Sequence, residues 1–299
     1  MLIAHVSDLH LRDRHDAIWL ERQLDRIAAR RPDHLAITGD LLDRWQPALL
    51  SRALDAFERH GFMDPERLTI LHGNHDLASS GGHPRRSTDL WRMATRFWDP
   101  PPALALRRRR FAALIARRAE SVAAKAPWSK RLRSGATIAV VDSVPAFWAP
   151  IHLEGRVVVV SHAVGSFTAS QAHWLSRRRS DGDLRLITLM HHYPLDAPTF
   201  RWTADRLGAR AASALRALQA VEVPMAIPEP DRSRFWDAAV TGGTRLILCG
   251  HVHRARLDRH RGIYLGLNGQ SGARWAGHSI AWYRLSESTV TMELEHIAA

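Results

Sequence analysis

The chain has 299 residues, 45% of them apolar and 24% charged, enough to bury a sizeable core and too apolar for a disordered chain. No apolar run reaches the roughly eighteen residues of a membrane-spanning helix, and the single cysteine, Cys249, excludes an intrachain disulfide and points to a reducing compartment. Lys plus Arg 42 against Asp plus Glu 30 leaves a net charge of +12. That charge points to polyanionic partners, namely nucleic acid, an anionic membrane or phosphorylated metabolites, although a compositional bias toward arginine gives the same total. The opening MLIAHVSDLH lacks the basic start and long apolar middle of a signal peptide, so the reading is cytoplasmic.

In chain order, Met1 to Val6 reads as a buried strand ending in Ser-Asp. Asp16 to Arg30 carries Ile18, Leu20, Leu24, Ile27 and Ala28 at helical spacing. His34 to Thr38 is a second strand, and Pro47 to His60 a second helix, with proline near its first turn and Gly61 after its end. Leu68 to Leu71 is the third strand. This βαβαβ order predicts parallel strands with right-handed crossovers and helices packed on the sheet. From about Ala78 to Arg133 the pattern breaks into Gly-Gly, Pro-Pro-Pro and arginine runs without a clear strand. Strands return at Ala136 to Val141 and Val157 to Val160, a helix at Thr168 to Arg178, and strands at Leu184 to Met190 and Arg245 to Cys249. Leu195 to Ala239 reads as irregular or helical. Gly262 to His296 holds short strands broken by Gly269, Gly272 and Gly277. One domain over 1–299 with insertions at about 78–133 and 195–239 is the expected organisation.

Five strand ends share a feature. They run into Asp8-Leu9-His10, Gly39-Asp40, Gly73-Asn74-His75-Asp76, His191-His192 and Gly250-His251-Val252-His253. Ligands bind at the carboxyl ends of strands in open α/β sheets, so these ends are expected to converge. Asp8 and His10, like His251 and His253, are two apart, and in extended chain such pairs point to one side. Asp8, Asp40, Asn74, His10, His191, His251 and His253 are too many donors for one tetrahedral zinc. Their mixed imidazole and carboxylate chemistry suits manganese, iron or zinc better than calcium. Each motif alone is an ordinary polar turn; their joint occurrence in order points to a two-metal site that binds a phosphoryl oxygen and activates water.

The motifs DLH, GD, GNHD, a histidine after an apolar strand, and GHVH resemble those of the calcineurin-like metallophosphoesterases. The resemblance covers the core from Met1 to about Leu285. It implies a four-layer α/β/β/α sandwich of two mixed sheets flanked by helices, with the helical insertions as a candidate lid. It implies further that Asp8, His10 and His253 hold one metal, that Asn74, His191 and His251 hold the other, and that Asp40 bridges. By the same resemblance His75 faces the phosphate with Asp76 orienting its ring, and His192 lies near the substrate together with Asn74. Where many relatives have proline before GNHD this chain has His72, which affects loop stiffness or adds an imidazole near the metals. His162 is a weaker extra candidate, and Cys249 reads as a small buried residue.

Leu104, Phe111, Leu114, Ile115 and Val122 fall on one helical face, with Arg107, Arg108, Arg109, Arg110, Arg117 and Arg118 crowding the remainder. This basic amphipathic helix reads as a lid packed on the core, a membrane-surface or lipid-substrate element, or a nucleic-acid contact. Phe200-Arg201-Trp202 and Phe235-Trp236 read as a stacking or acyl-gripping surface, or as the lid's own core. The functional expectation is a dinuclear metal-dependent phosphoesterase. It would use a metal-bridging hydroxide on a phosphodiester or pyrophosphate in a nucleotide, nucleic acid or nucleotide-linked lipid. Manganese is the first choice of metal, with iron and zinc as alternatives, and a peripheral membrane contact is open. The competing reading is a nucleic-acid or membrane-surface binding module that keeps the fold without turnover.

Overall fold

The computed structural model describes residues 1–79, 99–119, 125–146, 148–153, 157–161, 163–178, 186–195, 200–202, 221–223, 227–269, 271–272 and 279–297. The first half of the chain builds β1 (Leu2–Val6), α1 (Arg14–Arg30), β2 (His34–Thr38), α2 (Pro47–Arg59) and β3 (Leu68–Leu71). α1 starts where the Asp13 carboxylate accepts from the backbone N–H groups of His15 and Asp16, and stops at Arg31 in the left-handed region. Its buried stripe is Trp19, Leu20, Gln23, Leu24 and Ile27, whereas Ile18 is 55% exposed, so the helix is rotated from the expected face. α2 starts at Pro47, whose missing N–H costs nothing in the first turn.

The middle of the chain supplies α3 (Pro101–Ala116), β4 (Trp128–Arg131), β5 (Thr137–Val140), β6 (Ala149–Leu153), β7 (Val157–Ser161), α4 (Ala169–Ser176) and β8 (Leu186–Leu189). β9 (Phe200–Trp202), β10 (Val221–Val223), α5 (Asp231–Thr241), β11 (Thr244–Cys249), β12 (Ala255–His260), β13 (Ile263–Asn268), β14 (Ser279–Leu285) and β15 (Val290–His296) follow. The tract 78–133 therefore contains a strand after all. β4 carries polar Ser129, Lys130 and Arg131, a pattern without apolar alternation, and becomes a strand by pairing with β5 at an edge. β12, equally charged, is likewise an edge strand and was not expected.

Among the described residues the main sheets run β15-β14-β1-β2-β3 and β12-β13-β11-β8-β5-β4. β1, β2 and β3 are parallel, as are β5, β8, β11 and β13, while β14, β15, β4 and β12 are antiparallel additions. The alternation of side chains along each strand assigns the layers. Ile3, Ala36 and Tyr283 of the first sheet meet Ile138, Ile187 and Leu246 of the second in one cluster. Ala4, Leu35, Ile37 and Trp282 point the other way, onto Leu20 and Leu24 of α1 and Leu50 and Phe57 of α2. Ala139, Ile247 and Cys249 do the same under Leu175 of α4 and Phe235 and Trp236 of α5. The result is helix, sheet, sheet, helix: two mixed sheets flanked by helices. Strands covered on both faces are mostly apolar, which is why β1, β3 and β11 read as apolar runs, and the buried polar exceptions pair with each other, His5 with Thr38 and Thr69 with His34.

Phe235 and Trp236 belong to the helical layer under the second sheet, with Trp236 Nε1 donating 2.6 Å to the Pro194 carbonyl, so they are core and not a ligand surface. The side chains of Phe200, Arg201 and Trp202, with Val122 and His162, lie outside the described residues. Among the described residues no helix is long and apolar enough to cross a membrane.

Candidate metal centre

The carboxyl ends of β1, β2, β3, β8 and β11 meet along one rim between the two sheets. Backbone bonds fix the approach: Asp8 N–H donates to the Gly39 carbonyl (3.1 Å), His10 N–H to the Asp40 carbonyl (2.9 Å) and Gly250 N–H to the His191 carbonyl (3.0 Å). His251 N–H donates to the Asp8 carboxylate, 2.9 Å from Oδ2, and so ties β11 of one sheet to β1 of the other.

The expected reason for convergence is corrected by the backbone. Asp8 (φ 55), His10 (φ 46), Asp40 (φ 51) and His251 (φ 69) are all left-handed, and Val252 N–H returns to the Gly250 carbonyl at 2.8 Å. The i and i+2 pairs converge through tight turns, not along extended chain. Each left-handed non-glycine residue costs on the order of 1–3 kcal/mol and persists only where the surroundings hold it. Gly39 and Gly73 are two of the positions that require glycine. A Cβ on Gly39 (φ 100) would lie 2.6 Å from Gly73 N and His191 Nδ1, and one on Gly73 2.7 Å from His191 Cε1.

Three groups of metal-competent atoms result, each within 4.8 Å: Asp8, His10 and His253; His10, Asp40 and His75; Asp40, His191 and His251. Asp8 Oδ1 lies 3.5 Å from His253 Nε2 and 3.8 Å from His10 Nε2, and Asp40 Oδ2 lies 3.8 Å from His10 Nε2 and 3.3 Å from His191 Nε2. Asp40 therefore stands between the two outer groups. Asn74 joins through Oδ1, 2.7 Å from His191 Nε2, while its buried Nδ2 has no hydrogen-bond partner.

The backbone selects the imidazole atoms turned inward. His191 Nδ1 donates to the Thr38 carbonyl (2.8 Å) and His251 Nε2 to the Ala163 carbonyl (2.8 Å), leaving His191 Nε2 and His251 Nδ1 as the lone-pair atoms. His191 Nε2, Asn74 Oδ1 and Asp40 Oδ2 then face one point as three acceptors, an arrangement that a proton or a cation would satisfy. Burial lowers the His191 pKa, but the Asp40 and Asp8 carboxylates and the Thr38 carbonyl outweigh it and push it up to about 9. Asp8 and Asp40 are held well below the usual carboxylate range despite burial, Asp8 by the adjacent His10 and His253 imidazoles and Asp40 by the charge of His191 and His75. Burial and then the charge of His191 press His251 down to about 3. Anionic carboxylates, a His251 kept neutral by burial and a His191 whose inward proton a cation would displace fit divalent cations.

Asp76 does not orient His75. Its buried carboxylate accepts from Gly73 N–H (2.8 Å), Leu42 N–H (2.8 Å) and Leu41 N–H (3.3 Å), locking the GD turn to the GNHD turn. Two carboxylates are close here, and burial followed by the Asp40 charge pushes the Asp76 pKa up to about 6. The His75 ring is held instead by the Asp43 carbonyl, 3.0 Å from Nδ1, and Asp43 Oδ1 also lies 3.8 Å from His10 Nδ1. Asp43 was missed because it sits in an apolar tract, LLD, and only the fold shows that it is buried.

His192 is fully buried against the His251 ring (centroids 4.3 Å), with Nδ1 3.0 Å from Ser143 Oγ. His75 at 9% and His253, with a quarter of its side chain exposed, are the most accessible imidazoles of the cluster. Ser143, also missed, accepts from the N–H groups of His191 (3.2 Å) and His192 (2.9 Å). His72 turns away from the cluster onto Asp142 Oδ1 at 3.2 Å. Cys249 is buried and its thiol is pushed up by burial.

The model of the calcineurin-like phosphoesterases matches residues 1–255. The chain belongs to that family. The family depends on a dinuclear metal centre, and its members are metal-dependent phosphoric ester hydrolases. Among solved structures the chain is similar to a dimetal phosphatase from Danio rerio, with 13% identity, 99% of this chain and 96% of that one covered, and a TM-score of 0.56. It is similar also to the protein TT1561 of Thermus thermophilus, with 12% identity, coverage of 99% and 98%, and a TM-score of 0.50. At such identities the likeness speaks for the fold alone. No curated protein matches the chain in sequence.

Proposed function

We propose that this calcineurin-like phosphoesterase hydrolyses a phosphodiester or pyrophosphate bond in a nucleotide, a nucleic acid or a nucleotide-linked lipid. The observation that carries the reading is the sharing of Asp40 and His10 between adjacent groups of donors, which would let two cations sit side by side. Asp8, His10 and His253 would hold one cation and Asn74, His191 and His251 the other, with Asp40 between them. Bound there, two divalent ions supply Lewis-acid stabilisation of phosphoryl oxygens and lower the pKa of water. Manganese is the first choice and iron or zinc the alternatives, since imidazole and carboxylate donors suit all three.

The chain's own residues do the rest. The Asp43 carbonyl pins His75 Nδ1, and Nε2 would donate a proton to the leaving oxygen. His253 and His75, the most accessible imidazoles of the cluster, are the ones an incoming ester would meet first. Exposed Arg109 and Arg110 on α3 and Arg117 just after it favour a substrate or partner with an extended anionic part, nucleic acid or anionic lipid among them. A cytoplasmic setting, with or without peripheral membrane contact, accords with the single cysteine.

The test is hydrolysis of a chromogenic phosphodiester with added Mn²⁺. Asp40→Ala and His75→Ala are expected to lose about 10²–10⁴-fold in rate. Equal rates in wild type and both variants would leave the binding-module reading standing, and salt-dependent retention on nucleic acid against sedimentation with anionic vesicles would then distinguish its partners.

A further inference from the structure

α3 lies in the first insertion, and its arginine run Arg107 to Arg110 suggested a polyanion-binding face. The structure divides that run. Arg107 and Arg108 turn inward and bind the loops that carry the metal-competent residues.

Arg107 Nη1 donates to the Leu77 carbonyl (2.7 Å) and to Asp99 Oδ1 (2.7 Å), and Asp99 Oδ2 accepts from Ser79 N–H (2.9 Å). The guanidinium and its carboxylate thus grip both polar groups of the backbone just after Asn74, His75 and Asp76. Leu77 and Ala78 are one turn with Asn74, whose carbonyl accepts both of their N–H groups. Arg108 grips the other side. Its Nε lies 2.8 Å from Asp142 Oδ2 and 3.4 Å from His72 Nε2, and its Nη2 donates to the carbonyls of Val144 (3.0 Å) and Pro145 (3.2 Å). His72 precedes Gly73-Asn74. Asp142, Val144 and Pro145 flank Ser143, the acceptor for the N–H groups of His191 and His192. Leu104 of α3 completes the joint by packing with Leu77, Ala78, Val144 and Trp148.

We propose that α3 is a brace for the metal centre and that Arg107 and Arg108 are positioning residues: Arg107 sets the loop bearing Asn74 and His75, and Arg108 couples that loop to the one bearing His191. The inference rests on reading the cluster as a metal centre. Both guanidiniums are mostly buried, with side-chain exposures of 18% and 21%, and sit against largely buried carboxylates. Arg118, in the turn after the helix, pairs instead with Asp55 and Glu58 of α2, away from the rim. It is the internal control.

The experiment is Co²⁺ titration of the full-length protein followed by the visible absorption of the bound ion, with thermal unfolding of the metal-free form and steady-state kinetics alongside. Arg107→Met and Arg108→Met are expected to bind Co²⁺ about tenfold more weakly, the size of effect typical of groups that orient metal ligands, and to show an altered absorption band. Arg118→Met is expected to bind as wild type does. Arg108→Lys keeps the charge without the fork that reaches Asp142 and two carbonyls at once, so it should recover only part of the loss. If a methionine variant does not fold, Asp99→Asn and Arg108→Lys carry the same comparison. Wild-type Co²⁺ affinity and spectrum in folded position-107 and position-108 variants, with only the unfolding temperature lowered, would overturn the brace. A wild-type protein that binds no Co²⁺ would overturn the metal centre and the brace with it.

Discussion

Asp76→Asn separates a role in holding two turns together from a role at His75. In the metal-free protein the Asp76 carboxyl is pushed from 3.8 up to about 6 by burial and by the Asp40 charge. A carboxylate raised in the fold destabilises it at any pH where the group must ionise. The cost is absent below about pH 4, grows through pH 6 and is complete at neutral pH, where it amounts to about 3 kcal/mol. Asparagine removes that cost. It also sets an amide N–H₂ against at least one of the three backbone N–H groups of Gly73, Leu41 and Leu42, a buried mismatch of about 1–3 kcal/mol. The two effects nearly cancel without cations. With divalent cations bound, the repulsion from Asp40 is neutralised while the burial cost stays, so the balance shifts toward the mismatch. Thermal unfolding at pH 7 should therefore show wild type and Asp76→Asn within a degree or two in chelator. In Mn²⁺ the variant should melt lower by about 2–6 °C for a chain of this size. In chelator, lowering the pH from 7 to 5 should favour wild type over the variant. An equal fall in both conditions would refute the strained carboxylate; lost turnover with unchanged melting in Mn²⁺ would return Asp76 to the side of His75.

Gly73→Ala places a Cβ 2.5 Å from the Asp40 N atom and 2.7 Å from His191 Cε1; it should cost about 1–3 kcal/mol of stability and weaken Mn²⁺ binding, and wild-type values for both in calorimetry would count against the close approach. Ser143→Ala strips the acceptor from the N–H groups of His191 and His192; a loss of about 1–3 kcal/mol in denaturant melts is expected, and none would mean that water replaces the hydroxyl. Because the His191 pKa is raised to about 9, its contribution to metal-free stability is complete below about pH 6.5 and disappears as the pH rises through 9. Divalent cations must displace that proton, so their apparent affinity should rise by up to about tenfold per pH unit from 7 to 9 and then level off; a pH-independent titration would contradict it.

How much of this was legible in the sequence depends on the range of the interactions. The βαβαβ opening and β11 were readable because burial on both faces leaves mostly apolar runs and because Pro47 and Gly61 punctuate the second helix locally. The donors Asp8, His10, Asp40, Asn74, His191, His251 and His253 were readable for a related reason: a strand that ends at a rim must change abruptly from apolar to polar. β4 and β12 were not, since edge strands with charged faces carry no apolar alternation and exist through their pairing partners. Asp43, Ser143 and the inward turn of Arg107 and Arg108 were hidden for the same cause. An aspartate in an apolar tract, a lone serine and two members of an arginine run have the same letters whether solvated or buried.

The amino-acid order by itself determined which segments had to be buried and which chemical groups stood at their ends, because hydrophobic period and chain punctuation act over a few residues. Only the tertiary structure decided which imidazole nitrogen faces the cluster, that Asp43 and not Asp76 holds His75, and that a basic helix spends its first two arginines inward. Those choices are made by carbonyls and carboxylates dozens of residues away, and a hydrogen bond of about 3 Å exists only once the chain has folded.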